Sequence, residues 1–202
     1  MDKHDDEPRL LERSRQGDRE AFNDLVERYQ RAVYNLSLRM LGSPQAAEDA
    51  TQEAFIAAFR AIHSFHGEAF RAWLYRIASN ACYDEMRRRR SRQAVSLDEP
   101  HGEGERPLDV RAGGLSPEER AEQQELGRLI QRALSHLHPD QRIAVILCDI
   151  QGLDYAEISQ VLSISLGTVK SRIFRGRLHL RALLLESGGE LLPSRLRQVS
   201  EG

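Results

Sequence analysis

Residues 152–181, GLDYAEISQVLSISLGTVKSRIFRGRLHLR, leave this chain few ways to fold. Tyr155, Ile158, Val161 and Leu162 recur at helical spacing, and Asp154 stands where a cap belongs. The pattern breaks at Ser163, Ile164 and Ser165, and a second helix is predicted from Leu166 into the Leu183–Leu185 run. At ~100° per residue, Val169, Ile173, Leu180 and Leu184 form one inward stripe. Thr168, Ser171, Phe174 and Arg175 lie opposite, flanked by Lys170 and Arg172. No acid occurs between Leu166 and Arg181, whereas a merely solvated face mixes signs. A helix, a tight turn and a basic second helix suit the major groove. Short polar and guanidinium groups meet base edges there, and flanking cations meet the phosphate rails.

The net charge of −2 over 202 residues argues against a nucleic-acid partner only if charge is spread evenly. It is not. Arg71, Arg76 and Arg87–Arg90 make one positive patch and the terminal helix another, while Asp98, Glu99, Glu103, Glu105 and Asp109 make the segment between them acidic. Cys82 and Cys148 stand alone in apolar helical patterns, without a CxxC, so buried free thiols in a reducing compartment are expected. No apolar run is long enough to span a bilayer and the polar start is no signal peptide, so a cytoplasmic protein with no membrane insertion is expected.

The fold class expected is all-α: two small helical domains joined by a flexible acidic linker, the second ending in the helix-turn-helix. Phe22, Leu25, Val26, Tyr29, Val33, Leu36, Met40 and Leu41 mark a long first helix, stopped at Gly42. Ser43 and Pro44 open the next, with Ala47, Ala50, Ala54, Phe55, Ala58 and Ile62 on its apolar side. After a break at 63–68, a third helix carries Trp73, Leu74, Ile77, Ala78 and Ala81 and ends in Arg87–Arg90. Glycines and prolines then crowd together. The boundaries read are 1–92 for the first domain, 93–117 for the linker, 118–186 for the second domain and 187–202 for a tail with no assigned role.

Several stretches in this order resemble the extracytoplasmic-function branch of the sigma-70 family: DREAFNDLVERYQRAVYNLSLRML, SPQAAEDATQEAFIAAFRAI, FHGEAFRAWLYRIASNACYDEMRRRR and HPDQRIAVILCDIQGLDYAEISQVLSISLGTVKSRIFRGRLHLRALL. The resemblance covers about residues 9 to 185. It implies an RNA polymerase sigma factor that binds core RNA polymerase, through the clamp helices of the largest (beta-prime) subunit and the beta flap, and directs it to promoter DNA. It also implies control by an anti-sigma factor.

Residue by residue, Glu48, Asp49, Gln52 and Glu53 form an acidic stripe beyond the first turn of its helix, where like charges four apart disfavour the helix slightly. A basic partner would explain it, and Asp49, Gln52, Glu53 and Phe55 match the family's polymerase-binding DxxQExF pattern. The break holding Ser64, Phe65, His66, Gly67 and Glu68 adjoins a basic helix and suits the capture of an unstacked base. The family captures a flipped −10 base there. Arg71 follows the break, and Asn80, Asp84 and Arg87 match the family's NxxxDxxR pattern, with Arg88 beside them. Arg87–Arg90 and Arg92 would grip phosphates, the alternative being a solvated run; Asp84 with Arg87 or Arg88 equally makes a simple surface pair. Trp73 is assigned to the core. For −35 DNA, Thr168, Ser171 and Arg175 are base-edge candidates, Phe174 a thymine-methyl contact, and Lys170, Arg172 and Arg177 phosphate contacts. Cys148 stands where some relatives carry a basic DNA contact.

The histidines form no convincing metal site, no glycine loop cradles a phosphate and no nucleophile has a base beside it, so no cofactor, no metal and no enzymatic activity are expected. Two other readings compete: a self-contained regulator with a sensing domain before the helix-turn-helix, and a recombinase-like enzyme, which lacks its nucleophile and carboxylate cluster.

Overall fold

A computed structural model describes residues 6–67, 69–95 and 116–188. The helices are α1 (Glu7–Arg15), α2 (Arg19–Leu41), α3 (Pro44–Ala61), α4 (Phe70–Val95), α5 (Pro117–His136), α6 (Pro139–Val145), α7 (Tyr155–Leu162) and α8 (Leu166–Gly188). A 3₁₀ turn, Ile62–Ser64, follows α3, and a π turn, Ile146–Ile150, extends α6. The described residues contain no strand.

Local chemistry sets the boundaries. Asp18 caps α2 by accepting from the amides of Glu20 (3.0 Å) and Ala21 (3.2 Å), and is itself held by Arg13 Nε at 2.8 Å. Gly42 ends α2 in the left-handed region at φ 74°, which costs a glycine little. Ser43 Oγ then accepts from Ala46 N, and Pro44 fits the first turn of α3, which has no use for its missing donor.

The core of the first four helices packs Phe22, Leu25, Val33, Leu36 and Met40 of α2 against an alanine seam on α3, Ala47, Ala50, Ala54 and Ala58. Small residues on that seam let the helix axes approach closely. Leu74, Tyr75, Ala78 and Cys82 of α4 close this core. Ile143, Val145, Ile146, Leu147, Leu153, Ile158, Val161, Val169 and Ile173 form the corresponding core of α6–α8, and the two run into one cluster.

Polar contacts join the halves. Gln151, just past the π turn, donates from Nε2 to Ala32 O (3.3 Å), accepts from Tyr75 OH at Oε1 (2.7 Å) and accepts from Arg71 at its carbonyl (3.2 Å). Tyr83 OH donates to Asp140 at 3.0 Å, and burial first, then that carboxylate, drives the phenol's pKa well up. Arg142 is buried and donates to three carbonyls, Met40 (2.5 Å), Ser135 (2.5 Å) and Leu137 (3.1 Å). These lie at or near the C-terminal ends of α2 and α5, where helix dipoles present partial negative charge to a cation. No carboxylate is among its hydrogen-bond partners, and burial pulls its pKa down.

Several boundaries differ from the sequence reading. Helix α1 was not anticipated. Helix α4 runs on to Val95, so residues 93–95 belong to a helix rather than to the linker, and α8 takes in residues 187 and 188 of the expected tail. Residues 96–115 of the linker, and residues 189–202 of the tail, lie outside the described residues. Cys82 is buried, with its thiol pushed up to about 11 by desolvation, but Cys148 is only half-buried.

Candidate nucleic-acid interface

Helix α8 is fixed at its start by Ser165, whose Oγ accepts from Thr168 N at 3.2 Å. The preceding turn depends on Ser163 in the left-handed region (φ 54°) and on Ser159 Oγ donating to Ile164 O at 2.5 Å. Helix α7 opens with a reciprocal capping box: Glu157 N donates to Asp154, and Asp154 N to Glu157, both at 2.8 Å. Two caps and one strained serine therefore set the angle between the helices. Gly176 sets the distance of α8 from α6, because a Cβ there would sit 2.7 Å from Val145 Cγ2 and 3.3 Å from Gln141 O.

With Val169 and Ile173 buried, Lys170, Ser171, Phe174 and Arg175 are exposed. Phe174 is 69% exposed, an unusual position for a bare aromatic ring. Thr168 is half-buried, its hydroxyl 2.9 Å from Ser165 Oγ. The two flanking arginines are engaged within the protein. Arg172 turns back to Asp140 at 2.6 Å, and Arg177 makes an ion pair with Asp149, whose hydrogen bonds drive its pKa further up. Lys170 and Arg175 are therefore the cations presented outward without such a carboxylate. Leu178, one turn on from Phe174 and also exposed, extends this face and was absent from the sequence candidates.

A second surface surrounds the turn after α3. Ser64 Oγ donates to Ala61 O at 2.8 Å, while Ser64, His66 and Gly67 are exposed. Phe65 is not available to a ligand. It is 6% exposed and packs against Trp73 (centroids 5.0 Å) and Phe70 (5.7 Å), so it anchors the turn. Glu68 lies outside the described residues. Arg71 is drawn into the joint between the halves, bonded to Gln151 O and stacked over Tyr75 at 5.9 Å. Asn80 is exposed on α4, and Asp84 pairs with Arg87. The arginine run is less free than its sequence suggests. Glu85, largely buried, holds Arg89 Nε at 3.0 Å, Arg92 Nη2 at 3.1 Å and Arg88 Nε at 3.5 Å.

A third surface lies on α3. Glu48, Asp49, Gln52 and Glu53 are exposed and Phe55 is half-buried. Arg88 clasps Glu53 and holds its carboxyl below the usual carboxylate range. Beside this stripe, a groove of about 1030 Å³ runs between α2 and α3, with Phe22, Val26, Tyr34, Ile56 and Phe59 in its walls. The groove is mostly apolar, and its charged lining is Glu48 together with Arg19, Arg31 and Arg60. Its α2 wall was not among the candidates.

The sequence matches the family Sigma-70 region 2 over residues 25–92 and Sigma-70, region 4 over residues 127–180. It is 38% identical to the ECF RNA polymerase sigma factor SigW of Bacillus subtilis, over 86% of this chain and 94% of that one. This chain belongs to the extracytoplasmic-function sigma factors of the sigma-70 family. It is also 39% identical to the ECF RNA polymerase sigma factor SigE of Mycolicibacterium smegmatis over 86% of its own length, spanning 65% of that longer relative. The structure resembles that of the sigma factor RpoE in complex with the anti-sigma factor NepR from Bartonella quintana, with a TM-score of 0.66 and 26% identity over 82% of this chain and 98% of that one. In this sigma factor α3, and α4 up to residue 92, fall within the region 2 match, and the helix-turn-helix α7–α8 falls within region 4 up to residue 180. Among the described residues no helix is long and apolar enough to cross a membrane.

Proposed function

We propose that this sigma factor binds core RNA polymerase and carries it to promoters, acting by recognition alone and not as an enzyme. The observation that carries the reading is the exposed face of α8, where Lys170, Ser171, Phe174 and Arg175 project from a helix held by the Ser165 cap and by Gly176. It suits the major groove at a −35 element, with Arg175 and Ser171 on base edges and Lys170 on phosphate. Arg172 and Arg177 join it only by leaving Asp140 and Asp149. The turn at 63–67 and the exposed Asn80 serve the −10 region. The acidic stripe on α3, with the apolar groove beside it, serves the polymerase clamp helices, and the beta flap is the partner expected for the second unit. The working division is one unit that ends with α4 and a second that opens with α5 and ends with α8, about the linker between them, in the cytoplasm.

Control by an anti-sigma factor is part of the reading, supported by the sigma factor of similar structure seen with its anti-sigma partner. The test is size-exclusion chromatography of the full chain with core polymerase, without DNA. Stoichiometric co-elution is expected. Clean separation, with a core that still accepts another sigma factor, overturns the proposal.

A further inference from the structure

Arg15, the last residue of α1, reaches across to the turn after α3 and touches both of its histidines. Its Nη2 lies 2.8 Å from His66 Nδ1, and its carbonyl oxygen lies 2.7 Å from His63 Nδ1. The chemistry of the partners fixes both rings. A guanidinium has only donors, so His66 Nδ1 accepts and its ring proton sits on Nε2. A carbonyl only accepts, so His63 Nδ1 donates. Phe65, between them in sequence, is anchored on Trp73 and Phe70. The turn is thus held from the core by one aromatic ring and from α1 by one arginine. Gly67 keeps it close, since a Cβ there would meet the Phe65 ring at 3.3 Å.

His66 is exposed. We propose that Arg15 is a positioning residue for base selection: it presents His66 to the extruded base as an Nε2–H donor. This rests on the reading of the 63–67 turn as the −10 base-capture element. A histidine without such a partner exchanges its ring proton between two nitrogens and rotates, so it offers a donor or an acceptor to any base. Held by Arg15, it favours a base that places an oxygen or an unprotonated ring nitrogen opposite it, and disfavours one that places an amino group there. Arg15 also lies before residue 25, where the region 2 match begins.

The test is selection of a randomised single-stranded DNA pool by the holoenzyme, the full chain with core polymerase, sequenced before and after binding. Wild type is compared with Arg15→Ala, Arg15→Lys and His66→Ala. The expected result is that His66→Ala and Arg15→Ala flatten base preference at the same position, lowering the ratio of best to worst base about tenfold. Arg15→Lys, whose ammonium still donates, should keep most of that preference. If Arg15→Ala does not fold, Arg15→Met, which retains the aliphatic stem and removes every side-chain donor, carries the same comparison. Flattening by His66→Ala but not by Arg15→Ala overturns the positioning role and leaves base capture standing. Equal weakening of all four bases in Arg15→Ala also overturns it, showing that Arg15 only supports the fold. A preference unchanged by His66→Ala, or no selected sequence with wild type, overturns base capture by this turn and the inference with it.

Discussion

Glu53 and Arg88 form a two-point ion pair, Oε1–Nη1 at 2.8 Å and Oε2–Nη2 at 2.5 Å, across the faces of α3 and α4. The relationship joins a residue expected to meet polymerase with one expected to meet DNA. The carboxylate is half-satisfied before any partner arrives, and the arginine is tethered close to the −10 surface.

Reversing one member separates the two roles. Glu53→Lys should lower affinity for core polymerase tenfold or more and weaken the α3–α4 contact. The exchange Glu53→Arg with Arg88→Glu should restore the contact, read as recovery of the melting temperature, without restoring polymerase affinity. Affinity recovered in full by the exchange would reduce Glu53 to an internal partner. The pair also has a pH signature. The folded pKa of Glu53 is depressed, so its stabilisation is complete above the ordinary carboxylate range and is lost as pH falls through the depressed value.

On α8, two cations should fail in different ways. Arg175→Ala should relax preference at one base position of a −35 duplex and cost ~1–3 kcal/mol on the preferred sequence. Lys170→Ala should weaken every sequence alike and reduce the slope of log affinity against log salt by about 1. Fluorescence anisotropy of the holoenzyme across salt concentrations and base-substituted duplexes reads both.

Gly176 is a packing requirement of the α6–α8 contact. Alanine there brings a carbon against Val145, a β-branched side chain with little freedom to move away. Gly176→Ala should be distinctly less destabilising in a Val145→Ala background than in wild type, by about 1 kcal/mol or more of coupling. Additive melting shifts would show that the helices slide apart without strain.

Arg142→Met should destabilise the chain by ~2–4 kcal/mol, because three carbonyls, those of Met40 and Leu137 in buried bonds and that of Ser135 in a part-buried one, lose their donor together. Urea denaturation measures it. A loss below about 1 kcal/mol would mean that water replaces the guanidinium.

Local signals carried much of this fold. Helix α7 was legible to the residue because Asp154 caps it and Ser163 breaks it, and Ser43 with Pro44 announced α3 just as plainly. The outward face of α8 followed from its period, since Val169 and Ile173 do point inward. What escaped was non-local. Helix α1 is largely polar, and its Leu10 is buried only by tertiary contacts. Asp140 and Asp149 stand 32 and 28 residues from the arginines they hold, so Arg172 and Arg177 looked like free phosphate contacts. Glu85 stands beside Asp84 just ahead of the arginine run and reads as an ordinary surface acid, until burial shows three arginines turned toward it. Phe65 was placed with its exposed neighbours because a turn between helices suggests exposure, and an aromatic cluster decided otherwise.

The joint built by Gln151, Tyr83 and Arg142 has a consequence in length. Elements centred near −10 and −35 lie about 25 base pairs apart, roughly 85 Å of duplex at ~3.4 Å per step. A compact chain of this size has a radius of gyration of only about 17 Å. The two surfaces proposed to read them therefore cannot rest on their elements together while Tyr83 holds Asp140 and Arg142 holds Met40. The covalent reach of residues 96–115, at most roughly 70 Å, is enough to let them separate. Engaging a whole promoter thus includes the work of parting these side chains. Polymerase, by holding each half at its own station, is the natural source of that work, and the strength of the joint sets how far the unbound chain stays folded on itself.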